Sequence, residues 1–468
     1  MPPSHDFKVL IVGGGLGGLM LAVLLERAGI NYTIFERSVE VKPLGSALSL
    51  GANVFPVFAQ LGLLDDFYSK AKPFAQTRAY RETDEKVRVR DYSPANEIAG
   101  YLPHIIARPD LYNILRKQIP PHKILLSKKV LSIHEREDGE EGRRGHVRIT
   151  CSDKSIYEGD VLVGADGAYS AVRQGLYKKL AAMDLLPEND RTDEETGSTQ
   201  QLPFSSICLV GQTSPQSHEK FKVLEETFSR FDITVGHDKP YSWVTFTTKR
   251  NTLCWMVIQH LDKVSFQDHD SFRNSEWGPE AAQAMCDQVK DFPLPSYPGL
   301  TIGDLMKETP KELISKVMLE EKLFETWYSG RVVLLGDACH KLHPAAGLGA
   351  VSAIHDAVAL ANVLYDLPSP TDCNDLTKAF EIYRQERYPI AKVSWDTSHK
   401  MSRVLGKTFV NLVIRFMINR MPDWIWIKAL TRMYGYRPQV SFLPRSRDRG
   451  AVPPAPQLSL KSYENIAL

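Results

Sequence analysis

The sequence predicts a mixed α/β protein: a Rossmann-like nucleotide-binding domain, an inserted sheet-based domain and a helical C-terminal region. Three observations predict it. A strand, glycine turn, helix and second strand open the chain; small-residue turns after apolar strands recur near residues 164 and 336; and a block dense in β-branched and aromatic residues lies between those recurrences.

The opening unit is FKVLIVGGGLGGLMLAVLLERAGINYTIFER, residues 7 to 37. Phe7 to Val12 is a short apolar run, Gly13 to Gly18 a glycine turn, and Leu19 to Ala28 a run of helix formers that Gly29 stops. Tyr32 to Phe35 is a second strand ending at Glu36. Glycines at positions 13, 15 and 18 allow a tight turn, a bare backbone against a pyrophosphate and close packing of helix on strand. Glu36 follows about 20 residues on, where an acid accepts hydrogen bonds from an adenosine ribose. A lone glycine fingerprint says little, but the complete unit points to dinucleotide binding.

The 468 residues suffice for two or three domains, and 57 basic against 56 acidic side chains argue against a general nucleic-acid binder. The six cysteines (Cys151, Cys208, Cys254, Cys286, Cys339, Cys373) form no C-x-x-C pair and read as reduced thiols of an intracellular protein. Residues 9 to 25 are nearly all apolar, yet their five glycines fit a buried strand and helix better than a signal or membrane segment, so no cleaved leader is expected.

Beyond Arg37, the small residues Pro43 to Leu50 would let backbone pass close over a flat ligand, though an ordinary tight loop explains them as well. Segments 76 to 82 and 86 to 92 read as a polar hairpin that leaves the first domain for a second sheet. Leu102 to Leu115 returns as strand then helix; Arg108 at the junction either reaches the phosphates or pairs with Asp110 at the surface. Strands at 123 to 133 and 146 to 150 flank the charged turn DGEEGRRG. In DVLVGADGAYSAVR, a buried strand ends at Gly164-Ala165-Asp166-Gly167, and Ser170 and Arg173 open a helix. Residues 184 to 203 are polar and read as a mobile surface insertion.

From Ser205 to Gln259 the pattern is an antiparallel sheet in which Tyr241, Trp243, Phe246 and Trp255 either line a pocket or form core. Residues 262 to 328 read as helical, broken by Pro293, Pro295 and Pro298. RVVLLGDACHKLHPAAGLGAVSAIHDAVALANVL, from Arg331, then brings a buried strand to Gly336-Asp337, a loop with Pro344, Gly347 and Gly349, and a long helix from Ala350. Asp337 can accept from a polyol, and the helix N-terminus suits electron-rich carbonyls or negative charge. His340 and His343 lack a third ligand at metal spacing and read as ordinary loop histidines; no metal site is expected.

With these stretches in hand, the chain resembles the single-component FAD-dependent monooxygenases of the aromatic hydroxylase type, including fungal isoprenoid and meroterpenoid epoxidases, over about residues 7 to 395. The resemblance implies that Gly13, Gly15, Gly18 and Glu36 bind the adenosine diphosphate part of FAD and that Arg108, in Arg-Pro-Asp-Leu, lies beside the cofactor. It implies that Asp166 and Gly167 serve FAD and a passing nicotinamide cofactor, and that Asp337, Gly347, Gly349 and Ala350 lie at the ribityl chain and flavin ring. Many relatives read Gly-Gln-Gly-Ala-Asn where this chain has Gly347-Leu348-Gly349-Ala350-Val351, which removes two polar side chains beside the ring.

The implied activity is hydroxylation or epoxidation of a small apolar or aromatic compound with NADPH or NADH and O2 through a flavin hydroperoxide, the hard chemistry being the cofactor's. No residue is singled out as catalytic, and Tyr241 is the candidate substrate contact. Two other readings stay open: a flavin dehydrogenase or reductase, and a non-catalytic binding protein of the same fold. The implied domains are an FAD-binding part at 1–75, a substrate-domain hairpin at 76–101, a second FAD-binding part with the insertion at 102–203, the substrate domain at 204–300, and a third FAD-binding part at 301–400. Residues 401–468 form a basic amphipathic helical region and tail. Within 401–437, Arg403, Lys407, Arg415, Arg420, Lys428, Arg432 and Arg437 stand against one acid, Asp423, with Leu405, Phe409, Leu412, Val413 and Phe416 at helical spacing. That pattern fits either a peripheral membrane surface helix or a helix packed on the body of a cytoplasmic protein.

Overall fold

A computed structural model describes residues 7–40, 47–83, 85–136, 145–191, 202–265, 279–404, 417 and 420–463. Residues 137–144, with the charged turn up to Arg144, half of the polar insertion (192–201) and the amphipathic stretch 405–416 lie outside the described residues.

Lys8–Val12 is the centre of a six-stranded sheet in the order Tyr328–Ser329, Val332–Leu334, Val161–Gly164, Lys8–Val12, Asn31–Phe35, Ile124–Leu125. Every pair is parallel except that of Tyr328–Ser329 with its neighbour, and the register sets Val9 beside both Tyr32 and Val161. Helix Leu16–Ala28 covers one face together with helix Gly349–Tyr365, and both are mostly apolar because they are buried on several sides. Gly29, at φ 70°, ends the first of these helices in the left-handed conformation that glycine tolerates.

The second sheet has seven strands, in the order Ser315–Glu320, Phe204–Gln212, Leu253–Ser265, Tyr241–Thr247, Phe231–Val235, Gln76–Arg81, Lys86–Asp91. The hairpin at 76–91 joins it through a parallel pairing of Phe231–Val235 with Gln76–Arg81. The strand Ser315–Glu320 corrects two expectations: the stretch to 328 is not helical throughout, and the second sheet draws on chain beyond residue 300. Helices do occupy Pro279–Val289 and Ile302–Lys307. The strand that follows is short, and its pairing with Phe204–Gln212, more than 100 residues away in the chain, supplies the hydrogen bonds that local pattern does not announce.

The two faces of this sheet differ. Trp243, Trp255 and Val257 are buried with Met285, Phe292 and Leu305 under the two helices. On the opposite face Val244, Phe246 and Cys254 pack with Phe74, Ile105 and Ala47 of the first domain. A three-stranded sheet, Ala47–Leu50, His104–Ala107 and Ala71–Pro73, fills the junction. Asp110 anchors it from below: the buried carboxylate receives Arg250 Nε at 2.7 Å in a two-pronged ion pair.

The insertion expected to be mobile is ordered at its start. Asp190, 3% exposed, accepts the backbone N–H groups of Glu325 and Thr326, the latter at 2.7 Å, so a carboxylate in a polar run acts as a buried clamp. The C-terminal helix Asp423–Gly435 packs through Leu430 and Tyr434. Arg437, counted on the basic face, is instead buried against Asp448 and the carbonyl oxygens of Tyr434 and Val452, because its guanidinium gathers chain ends there.

Candidate cofactor site

Three strand ends of the six-stranded sheet open into turns side by side. After Val12 the chain turns at Gly13, whose φ of 110° and N–H to Phe35 O bond of 2.9 Å define the tight bend. A Cβ there would sit 2.3 Å from Ala165 O, and one at Gly18 would sit 2.1 Å from Gly13 O, so neither position admits a side chain without rearrangement. Gly17 approaches as closely: its Cβ would lie 2.7 Å from Leu335 and 3.4 Å from Ala353, which puts the starts of the two long helices against each other. Gly15, by contrast, has nothing within 4 Å of where a Cβ would be. It is the N-cap of its helix and no side chain caps it.

Glu36 lies at the end of the neighbouring strand. Its Oε2 accepts the Gly14 N–H at 2.8 Å and its Oε1 the Ser38 N–H at 2.9 Å, which holds the carboxylate still and leaves lone pairs for hydroxyl donors. Asp166 is turned toward its own helix start, accepting Ala171 N–H at 2.7 Å and Val172 N–H at 3.2 Å. Burial raises the Asp166 carboxyl, and the helix-start hydrogen bonds lower it only in part. Gly167, at φ 83°, has open space around it. Arg173 is wholly buried: it donates to Ala168 O and Ala338 O at 2.6 and 2.7 Å and its guanidinium lies 3.9 Å from the Phe324 ring centre, tying the turn after Gly164 to the turn at Gly336.

Asp337 is ion-paired to Lys341 at 2.8 Å. Burial works to raise its carboxyl, but Lys341, His340 and Arg108 beside it hold it below the usual carboxylate range. Arg108 is exposed at the first turn of helix Arg108–Arg116, and Asp110 has gone to Arg250, so the Arg108–Asp110 pairing is not the one formed. Gly347, at φ 65°, turns the chain into helix Gly349–Tyr365, and a Cβ on it would be 3.7 Å from Ser49. Leu348 is that helix's N-cap with no side-chain cap bond, and Gly349 again has nothing within 4 Å of its Cβ position. Ala350, next in the first turn, is partly exposed.

Tyr241 is not brought to this place. Its ring packs on Phe292 and its hydroxyl reaches Gln288 at 3.3 Å, on the helix-covered face of the second sheet. Strand alternation decides this: Tyr241 and Trp243 share one face, whereas Ser242, Val244 and Phe246 take the other.

Sequence reasoning missed the network beneath the site. Asp356, fully buried, accepts the Gly336 N–H at 2.9 Å and His340 Nε2 at 2.5 Å on one oxygen, and Arg387 Nε at 2.8 Å on the other. Burial alone would raise Asp356; His340 and Arg387 carry it well below its ordinary value. The signal was one acid within the mostly apolar helix run GAVSAIHDAVALANVLY. His340 and His343, read as ordinary loop histidines, are both buried, and His340 pairs in a short ladder with Leu323. Cys339, His340 and Asp356 carry metal-ligand atom types within 4.8 Å, but Arg387 occupies the cation's place and burial keeps the Cys339 thiol protonated.

These residues fit an extended dinucleotide. Two helix N-termini without side-chain caps offer N–H groups, Gly15 and Gly349 leave room for close approach, and acceptor carboxylates flank the turns. Glu36 and Asp337 follow strands three positions apart, a span of about 14 Å at ordinary strand spacing.

Comparison with known proteins agrees with that geometry. The FAD binding domain family matches residues 6–189 and 210–398, and the chain belongs to that family of flavoproteins. Its relatives narrow the class. The FAD-dependent monooxygenase ptmM of Penicillium ochrochloron is 32% identical over 409 residues, 86% of this chain and 89% of the relative. The FAD-dependent monooxygenase paxM of Penicillium paxilli is 30% identical over 407 residues, 85% of this chain and 79% of the relative. Klebsiella pneumoniae HpxO, in a crystal structure complexed with FAD and uric acid, shares the fold with a TM-score of 0.69 over 92% of this chain and 96% of that one, at 19% identity. The protein is an FAD-dependent monooxygenase, acting with O2 on a small molecule, which sets aside the dehydrogenase and the non-catalytic readings.

Proposed function

We propose that this enzyme hydroxylates or epoxidises a small apolar or aromatic compound, with NADPH or NADH as reductant and FAD held by the turns described above. In this reading Gly13, Gly15, Gly18 and Glu36 take the adenosine diphosphate, Arg108 the phosphates, Asp337 the ribityl chain, and Gly347, Gly349 and Ala350 the ring; Asp166 and Gly167 stand beside the nicotinamide path. The observation that carries it is the pair of uncapped helix starts at Gly15 and Leu348 with bare space at Gly15 and Gly349. Bound there, FAD supplies the electron and oxygen transfer. The protein's share is to orient, exclude water and keep charge fixed: Lys341 and Arg108 hold Asp337 ionised, and Asp356 fixes the Gly336 N–H.

The test is anaerobic reduction of the purified, FAD-loaded protein by NADPH or NADH, then 18O2 with a panel of apolar and aromatic compounds. Bleaching followed by a product carrying one 18O atom supports the reading. Reduction with only hydrogen peroxide formed across the panel defeats it.

We infer also that the enzyme is intracellular, works without nucleic acid and touches an anionic membrane surface. Six cysteines in the thiol form support the first and the balanced charge the second. For the third, Trp424 and Ile427 are 66% and 44% exposed three positions apart on helix Asp423–Gly435, beside exposed Lys428 and Arg432 and one exposed acid, Asp423. Trp426 is committed elsewhere, its N–H to Asp91 O at 2.6 Å and its ring under Arg90. Among the described residues no helix is long and apolar enough to cross a membrane. Co-sedimentation with phosphatidylserine vesicles should fall severalfold for Trp424→Ala with Ile427→Ala; unchanged sedimentation would refute the contact.

A further inference from the structure

Asp337 stands in the turn Gly336–Ala338 with its side chain 36% exposed, and its Oδ2 receives Lys341 Nζ at 2.8 Å. Among the described residues its Oδ1 accepts no hydrogen bond, so one oxygen is held and the other is on offer. Lys341 itself belongs to a two-strand ladder, His340–Lys341 against Lys322–Leu323, in which Lys322 lies directly opposite it. Like charges facing each other across a ladder weaken it, and Arg108 adds a third cation that acts on Lys341. Two carboxylates offset the repulsion: Asp337 in contact, and Glu320 from the edge strand of the second sheet. Glu320 already receives the Tyr169 hydroxyl, whereas the contact of the ammonium is with Asp337.

We propose that Lys341 is a positioning residue for FAD: it clamps Asp337 by one oxygen and presents the other, Oδ1, to a hydroxyl of the ribityl chain. The inference rests on the placement of Asp337 at that chain given above. Lys341 acts through the carboxylate and needs no contact with the cofactor. An ionised acceptor bonds a hydroxyl more strongly than a neutral acid does, so the charge of the clamp matters as well as its geometry. The groups acting on Asp337 are Lys341, His340 and Arg108. Burial raises the carboxyl, and Lys341 lowers it more than His340, which is committed to Asp356, or Arg108, which is exposed. FAD affinity that depends on the carboxylate is present above its titration and lost as pH falls through it. Without Lys341 that loss moves to higher pH.

The test titrates FAD into the full-length apoprotein, followed by flavin fluorescence, from about pH 5 to about pH 8.5. Lys341→Met should weaken FAD binding about tenfold near neutral pH and move the acid-side loss of affinity upward by about one pH unit. Lys341→Arg, which keeps a cation and donors, should restore most of both. In an Asp337→Ala background, Lys341→Met should cost less than about twofold, because the lysine acts through the carboxylate. The ladder is held by backbone bonds, so its pairing survives a change of side chain; if the Met variant fails to fold by circular dichroism, Lys341→Gln carries the same measurements. Wild-type affinity with a wild-type pH profile in Lys341→Met overturns the proposal, and so does an equal loss in the Asp337→Ala background. Two further outcomes separate the claims. Loss of FAD in Asp337→Ala with none in Lys341→Met refutes the role of Lys341 alone, whereas full FAD affinity in Asp337→Ala refutes the placement of Asp337 and this inference with it.

Discussion

The turns at the end of the parallel sheet and the pocket lined by Glu321, Trp395 and His399 are built in different ways. At the turns the groups are mostly backbone N–H at two helix starts, and the side chains that matter there are absent ones, at Gly15 and Gly349. The pocket is walled by residues from positions 203–205, 321, 395 and 399, which only folding brings together. Backbone recognition constrains sequence locally and tightly, whereas side-chain recognition constrains it at a few distant points. The first can be read along the chain and the second cannot.

The largest effect on the first region should come from adding atoms. Gly18→Val places a Cβ 2.1 Å from a backbone oxygen in a turn with no slack, and should abolish FAD retention and lower the melting temperature by many degrees. A variant that keeps full flavin absorbance would show that the turn relaxes freely and would break the contrast. Next comes the support beneath the site. Asp356→Leu or Arg387→Met leaves its buried partner uncompensated and should cost about 3–5 kcal/mol in chemical denaturation, whereas the two combined should recover part of that. Strict additivity in that cycle would mean that the two groups do not act as a pair.

Acidity acts on the same region. Burial, together with His260, His399 and Lys341, depresses the His343 imidazole to about 3, so the folded protein stays neutral at a position that the unfolded chain protonates below about 6.5. Stability should therefore fall as pH drops from about 6.5 toward 3, by a few kcal/mol from this residue, and be untouched by it above that window. His343→Gln should flatten the profile; His355, also depressed to about 3, supplies a second portion that remains. An unchanged slope in the variant would refute the assignment.

Truncation of the acceptors should do less. Glu36→Ala and Asp337→Ala should each weaken FAD binding by about ten- to a hundredfold in equilibrium dialysis while the fold persists, since each removes charge-assisted hydrogen bonds and no core. Full flavin occupancy in both would defeat their placement in the site. The smallest effect belongs to the helix-covered face of the second sheet: Tyr241→Phe deletes a 3.3 Å bond to Gln288 there and should leave flavin binding and turnover unchanged and stability within about 0.5 kcal/mol. A large loss of turnover would restore Tyr241 as a substrate contact and undo the face argument.

What the sequence by itself determined lies where chemistry is local. The Gly13–Gly18 turn, the strand on either side, Glu36 and the Gly347–Gly349 entry to a helix are each specified within about 30 residues by backbone sterics and hydrogen-bond accounting. Asp356 was legible only as an acid without an explanation, because its partners sit at 336, 340 and 387. The tertiary structure alone decided which face Tyr241 takes, that Asp110 meets Arg250 and not Arg108, that Ser315–Glu320 closes the second sheet, and that Glu321, Trp395 and His399 share one cavity. The physical reason is common to all four. A side chain's partner across a sheet or between domains depends on register and burial, which sum contributions from the whole chain, whereas a glycine turn against a helix start is complete in itself.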